Sequence, residues 1–258
     1  MRLKNIKAAS AIIFKEVFRD RITVLLLFLI PTIFYLVTIF TASENPILIK
    51  IASAPNEPVF MVKQQDLGLI YVGLAATGLI ASFLALNIMQ RNTHAKKRLI
   101  LCGYNTFELS FSKFIVVISI VIVIGTYIAT MSLLLIEPKH IFGIVAGYIL
   151  CGFVYGSYGL IIGAILKREL EGILFIVLLT NLDVGWLQNP LYYAGAQNKF
   201  IIRLLPGFNP SQVSVISAFS DYSPGPPVIY SLIYGSVFLI LSMIIFRMQM
   251  RITKTPEQ

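Results

Sequence analysis

Six long apolar stretches constrain this chain more than any other feature of its sequence. Each runs for about 16 to 25 residues, and an α-helix needs roughly 20 residues to cross the hydrocarbon core of a bilayer. Because the runs are continuous and do not alternate, they exclude a transmembrane β-barrel and predict an all-α polytopic membrane protein with six transmembrane helices. The stretches are Ile22–Thr41, Leu69–Met89, Phe114–Ile136, Phe142–Leu166, Gly172–Leu187 and Pro227–Gln249.

The rest of the chain is divided into short segments, none longer than the 39 residues of Gln188–Pro226. Hydrophobic residues make up 57% and charged residues only 13% of the sequence, so little remains for a soluble domain. The sequence therefore predicts an N-terminal amphipathic interfacial helix over residues 1–21, a six-span transmembrane domain over 22–249 and a cytoplasmic tail over 250–258.

The net charge of +9 is a topology signal. Its basic residues concentrate on alternate connections, and the positive-inside rule then predicts a multi-pass protein with both termini in the cytoplasm and no nucleic-acid partner. The sequence shows no organelle-targeting signal, which favours a bacterial inner (cytoplasmic) membrane. The residues concerned are Arg2, Lys4, Lys7, Lys15, Arg19 and Arg21, then Arg91, Lys96, Lys97 and Arg98, then Lys167 and Arg168, and finally Arg251 and Lys254.

The segment before the first span predicts a helix that lies in the headgroup layer. Its apolar residues fall on one face of a helical wheel and its charged residues on the other, although an ordinary basic flank remains the alternative. The first span is too long for a signal-peptide core, so we expect no cleavage after it. The apolar face comprises Leu3, Ile6, Ile13, Phe14 and Val17.

Packing signals concentrate in the second and fourth spans. The fourth span holds six glycines, several at four-residue spacing, which lets helix backbones approach closely either within the bundle or between two subunits.

The segment Gln188–Pro226 is apolar and contains several prolines, and it predicts short re-entrant or interfacial helices before the last span. The segment Ala42–Gly68 predicts an irregular loop or a short surface helix.

The longest basic connection, Arg91–Ser112, combines charged residues with an apolar turn. Lys96–Gly103 reads Lys-Lys-Arg-Leu-Ile-Leu-Cys-Gly, and Lys113 then enters the third span. With this loop, the basic leader, six spans and the apolar hairpin before the last span, the whole chain resembles the membrane subunits of type-2 ABC transporters. It departs from the family where Asn92–His94 replace frequent acidic residues and glycine, and where Tyr104 stands at a frequent proline.

The resemblance implies a permease subunit of an ATP-driven exporter that works as a homodimer or heterodimer. It also implies separate ATPase subunits, which bind ATP and magnesium, because the sequence contains no phosphate-loop motif. The substrate implied is an amphipathic, lipid-like, peptide or drug molecule that moves outward by alternating access. The ATPase-contacting residues implied by the resemblance are Arg98, Leu101, Tyr104 and Phe107, and polar residues of spans one and five are expected to line the path: Thr32, Tyr35, Thr38, Thr180, Asn181 and Asp183.

The sequence offers no catalytic or metal-binding constellation. His94 and His140 have no Cys, Asp or second His at metal spacing. Asp183 is the acidic residue within a mostly apolar stretch, and it either marks a substrate path or lies at the outer interface beside Trp186. Three other classes remain as alternatives: an integral membrane enzyme, an ion-coupled transporter acting alone, and a non-transporting sensor or immunity protein.

Overall fold

The computed structural model describes residues 3–53, 57–91, 98–100, 103–166 and 168–252. A short π-helical segment, Asn181–Leu187, directly follows the α-helix Glu169–Thr180. The elements in chain order are α1 (Leu3–Arg19), α2 (Arg21–Thr41), β1 (Pro46–Lys50), β2 (Val59–Lys63), α3 (Gln64–Gln90), α4 (Thr106–Leu135), α5 (Ile141–Ile165), α6 (Glu169–Thr180), α7 (Pro190–Gly195), α8 (Lys199–Arg203), α9 (Phe208–Phe219) and α10 (Gly225–Ile252).

The six spans expected from the sequence are confirmed. The helices α2, α3, α4, α5, α6 with its π-helical segment, and α10 are each long and apolar enough to cross a membrane. The chain is therefore a multi-pass α-helical membrane protein. The third span, α4, begins at Thr106, well before its apolar stretch. The side chain of Asn105 accepts a hydrogen bond from the N–H of Phe107 and caps the helix there.

The core of the bundle is the pair α3 and α5. In both helices 78% of the most apolar window is buried, against 17% in α2 and in α10. Glycine makes this packing possible: a Cβ at Gly159 would collide with the backbone of Ser82. The glycines of the fourth span seat it within its own bundle. Gly143 and Gly147 face α9, Gly152 and Gly156 face α4, and Gly159 and Gly163 face α3.

The basic end of the bundle is built around α1. This helix packs against the first turns of α4, where Asn5 donates to Glu108 at 3.1 Å and Ser112 donates to the carbonyl of Ile6 at 3.3 Å. Ile6 and Val17 are buried there, whereas Leu3 of the same predicted face is exposed. The amphipathic helix expected from the sequence is therefore present and contacts the protein with part of its apolar face.

The connection from α1 to α2 is fixed at the same end. The carboxylate of Asp20 accepts a hydrogen bond from the N–H of Thr23 and lies 3.9 Å from Arg91 at the end of α3. Hydrogen bonding from Thr23, and then the charge of Arg91, lower the pKa of the Asp20 carboxyl. The ends of α1, α2 and α3 thus meet at one end of the bundle.

At the opposite end the structure corrects one expectation. The segment Ala42–Gly68, which was expected to form an irregular loop or a short surface helix, contains an antiparallel hairpin. In it β1 pairs with β2, and Pro46 lies opposite Lys63. Residues Val59–Val62 favour a strand because they are β-branched, aromatic or apolar. Ile49 and Val62 are buried on one face of the hairpin, while Leu48 and Met61 are exposed on the other.

The segment before the last span contains short helices, as expected, but they differ in environment. Nearly all of α9 is buried, and it packs against α5 through Gly143 and Gly147. The helices α7 and α8 instead expose apolar side chains such as Leu191 and Phe200. Because α9 is enclosed by protein, its polar residues are shielded from lipid.

Candidate functional site

The polar residues of α2 that were expected to line a path turn toward the bundle. The hydroxyl of Thr32 donates to the carbonyl of Phe28 at 2.7 Å and is 2.7 Å from the hydroxyl of Tyr127 in α4. The hydroxyl of Thr38 donates to the carbonyl of Phe34 at 2.8 Å. Threonine hydroxyls commonly bond their own helix in this way.

Tyr35 lies in the interior. Its hydroxyl is 2.6 Å from that of Ser132 in α4 and 3.3 Å from that of Tyr148 in α5, and the last two hydroxyls are 2.8 Å apart. Only 2% of Tyr35 is exposed. The three hydroxyls satisfy one another in an apolar setting, which explains why Tyr35 faces its own bundle and not the outer surface of α2.

The fifth span divides its three predicted residues between two environments. Thr180 is buried against α3 near Gly78, while Asn181 is exposed and donates to the carbonyl of Val177 at 2.9 Å. Asp183 is fully buried within the protein. The carboxylate of Asp183 is therefore enclosed by protein, whereas Trp186 is exposed, as expected of an interfacial aromatic.

Asp183 accepts three hydrogen bonds from three separate elements. Tyr155 of α5 donates to its Oδ2 at 2.5 Å, and the backbone N–H of Gly207 donates to the same oxygen at 2.7 Å. The side chain of Gln188 donates to its Oδ1 at 2.6 Å. We call Tyr155, Asp183, Gln188 and Gly207 the Asp183 cluster.

The Asp183 cluster is a connector between elements. Burial of a carboxylate is costly unless hydrogen bonds replace its hydration, and here α5, the residue after the π-helical segment and the residue before α9 supply them. Tyr155 and Asp183 are both 0% exposed, so in this structure no solute reaches them. The arrangement fixes the end of the fifth span and the start of α9 to the core.

A groove separates the first, second and fifth spans. It has a volume of about 260 Å³, and its walls are apolar except near one end. Thr23, Asn87 and Glu169 provide the polar groups, and all three lie close to the α1 end of their helices. The apolar walls are formed by Leu26, Leu27, Ile30, Leu79, Ile80, Phe83, Leu84, Leu86 and Ile173.

The four residues expected to contact an ATPase have different surroundings. Arg98 is exposed and helical, and Tyr104 is half-buried with its N–H bonded to the carbonyl of Leu99 at 3.1 Å. The ring of Phe107 lies 5.0 Å from the guanidinium of Arg247 in α10, so it is engaged within the protein. Leu101 lies outside the described residues.

Within the described part of the chain, no group of three His, Cys, Asp or Glu side chains could hold a metal ion. Cys151 is buried and its thiol approaches the carbonyl of Leu74 at 3.4 Å.

Sequence reasoning missed the partners of the two polar clusters. Ser132 and Tyr148 surround Tyr35, and Tyr155, Gln188 and Gly207 surround Asp183. Tyr148 and Tyr155 lie about two turns apart in the glycine-rich fourth span, and this pair of polar aromatics in a buried helix was the available signal. Apart from Gln188 and Asp183, which are five positions apart, the pairings join residues 16 to 113 positions apart, and composition does not reveal them.

No family model matches the chain, and no curated protein matches it by sequence. The likeness to type-2 ABC permeases therefore rests on the arrangement of spans, loops and charges given above. What the findings establish is a multi-pass α-helical membrane protein.

Proposed function

We propose that this chain is the permease subunit of an ATP-driven ABC transporter, which moves an amphipathic, lipid-like, peptide or drug molecule outward. Two permease subunits enclose the path, and separate ATPase subunits bind ATP and magnesium. Alternating access follows when ATP binding favours one of two arrangements of the subunits, because a ligand shifts an equilibrium only through its different affinity for the two states.

The observation that carries this proposal is the groove between the first, second and fifth spans. Two of its three walls, α2 and α6, belong to spans that are little buried, with 17% and 28% of their apolar windows covered. Large apolar side chains of both helices therefore remain available to a second subunit. A path between two such subunits would be apolar along its walls, which suits an amphipathic solute.

The α1 end of the bundle supplies the surface for an ATPase. Arg98 and Tyr104 lie in the connection that leads into α4, and α1 packs against the first turns of that same helix. A displacement of this connection by an ATPase would also move α1 and α4, because the connection leads into α4 and α1 packs against α4. The chain's own sequence contains no phosphate loop, so hydrolysis takes place on the partner.

Co-purification with an ATPase tests the proposal. The tagged chain should retain a phosphate-loop ATPase in mild detergent, and the pair should hydrolyse ATP in proteoliposomes while the chain alone does not. The double variant Leu101→Asp, Tyr104→Asp should weaken the complex, because a charge placed in an apolar contact loses its hydration. The control is Leu48→Asp in the exposed face of the hairpin at the opposite end. Retention of the ATPase by the double variant, or absence of any ATPase, contradicts the proposal.

We also propose that the α1 end faces the cytoplasm of an inner membrane, as the basic residues predict. Single cysteines at Lys97 and Gln258 should resist a membrane-impermeant reagent in intact cells and react after lysis. A cysteine at Leu48 should react in intact cells. Labelling of Lys97 from outside would reverse the orientation.

A further inference from the structure

A second groove lies on the opposite side of α2, away from the groove between the first, second and fifth spans. It is a shallow depression that is largely open to its surroundings. Phe18 at the end of α1 forms its mouth together with Arg21 at the start of α2. The rest of the groove runs along α2 and is lined by Val24, Leu25, Phe28, Leu29 and Thr32.

The length of this groove matches one leaflet of a bilayer. Arg21 and Thr32 are eleven positions apart, which corresponds to about 16 Å of helix. Half of the hydrocarbon core measures about 15 Å. Thr32 adds no free polar group at the far end, because its hydroxyl is hydrogen-bonded to Phe28 and Tyr127. The groove therefore has one charged end and an apolar remainder of acyl-chain length.

The charge at the mouth is available to an external partner. Arg21 is exposed, and it forms no ion pair with any acidic residue that the structure describes. Its neighbour Asp20 is occupied by the N–H of Thr23 and by Arg91. A guanidinium in this position matches the geometry of a phosphate group, to which it donates two parallel hydrogen bonds.

We propose that this groove binds one anionic phospholipid from the leaflet on the α1 side. The lipid phosphate is held by Arg21, and one acyl chain lies along Leu25 and Phe28. The basic residues Lys15 and Arg19 of α1 do not line the groove. The site requires neither an ATPase nor a second subunit, so the test of lipid binding is independent of the transport proposal.

Tryptophan fluorescence in nanodiscs tests this binding. The chain contains a single tryptophan, so Trp186→Phe gives a silent background. Leu29→Trp then reports on the groove, and Leu241→Trp in α10 is the matched control, since both leucines are 44% exposed. The nanodiscs contain phosphatidylcholine with a small fraction of phosphatidylglycerol brominated on its acyl chains, and a parallel set carries the bromine on phosphatidylcholine. Gel filtration verifies that each variant is folded.

We expect quenching at position 29 to exceed quenching at position 241 by about fivefold with brominated phosphatidylglycerol, the attraction that one basic residue exerts on an anionic lipid. With brominated phosphatidylcholine the ratio should be close to one. Arg21→Gln should bring the phosphatidylglycerol ratio to one, while Arg19→Gln should leave it unchanged. Equal quenching at both positions, a ratio that survives Arg21→Gln, or an equal loss with Arg19→Gln overturns the proposal.

Discussion

The second and fourth spans differ from the first and sixth in what they bury, although all are comparably apolar. The helices α3 and α5 bury most of their surface and approach each other through small residues such as Gly159 and Ser82. The helices α2 and α10 expose large side chains such as Phe40 and Ile240. In lipid the hydrophobic effect does not draw helices together, so close packing of small residues separates core from periphery.

Peripheral spans are attached to this core by polar contacts at defined points. The first span is joined through Tyr35 to Ser132 and Tyr148, and the fifth through Asp183 to Tyr155. Hydrogen bonds between helices contribute modestly in membranes, typically about 0.6 kcal/mol and at most about 2. We therefore expect core substitutions to destabilise the protein more than substitutions at these contacts.

Gly159→Ala should give the largest effect. The added methyl group would meet the backbone of Ser82, which cannot move without separating α3 from α5. We expect a loss of about 3 kcal/mol or failure to fold, measured by equilibrium unfolding in mixed detergent micelles. The control is Gly185→Ala, where the nearest atom to a new Cβ is 3.8 Å away and the change should stay within about 1 kcal/mol. Equal effects at the two glycines would remove the distinction between core and periphery.

Asp183→Ala should rank second. It leaves the donors of Tyr155, Gln188 and Gly207 buried without their acceptor, which we expect to cost about 2 kcal/mol. The same variant should make the chain between α8 and α9 more sensitive to protease, because the start of α9 is no longer fixed. Asp221→Ala at the exposed end of the molecule is the control and should change neither readout. Unchanged protease sensitivity would show that the cluster does not hold α9.

Tyr35→Phe and Ser132→Ala should have the smallest effects, about 1 kcal/mol each. Since the two hydroxyls bond each other at 2.6 Å, the double variant should cost less than the sum of the single variants. Tyr230→Phe, an exposed tyrosine of α10, should be neutral. Strict additivity in the double-mutant cycle would mean that Tyr35 does not join the first span to the core through Ser132.

The sequence predicts the spans well because twenty apolar residues leave a helix few alternatives in a bilayer. The glycine spacing of the fourth span likewise predicts close packing, but it does not distinguish a neighbour in the same bundle from a second subunit. The structure shows neighbours within the bundle, namely α3, α4 and α9. The spacing of residues is a property of a single helix, so it does not identify the helix that packs against it.

The sequence predicts less about which groups the polar residues of the spans contact. Tyr35 was expected to line a path because polar groups avoid lipid, yet its partner Ser132 lies 97 positions away. The same argument applied to Asp183 left two alternatives, a substrate path and the outer interface, and neither of them named the three donors that enclose the carboxylate. The hairpin of β1 and β2 was missed because its short apolar strands lie in a segment that also contains three prolines and mixed charges.

Crosslinking between subunits tests most directly whether the first and fifth spans face a second permease subunit. Cysteine replaces Leu26 in one copy and Leu174 in a differently tagged copy, after replacement of Cys102 and Cys151 by alanine. Both positions are five residues from the start of their helices at the same end. We expect a product of about twice the mass of the 28.8 kDa chain, with a yield that changes when the ATPase binds a non-hydrolysable nucleotide. The control pairs Leu174 with Val123, which is exposed on α4 away from the groove. No product, a yield no higher than the control, or a yield insensitive to nucleotide would contradict the account.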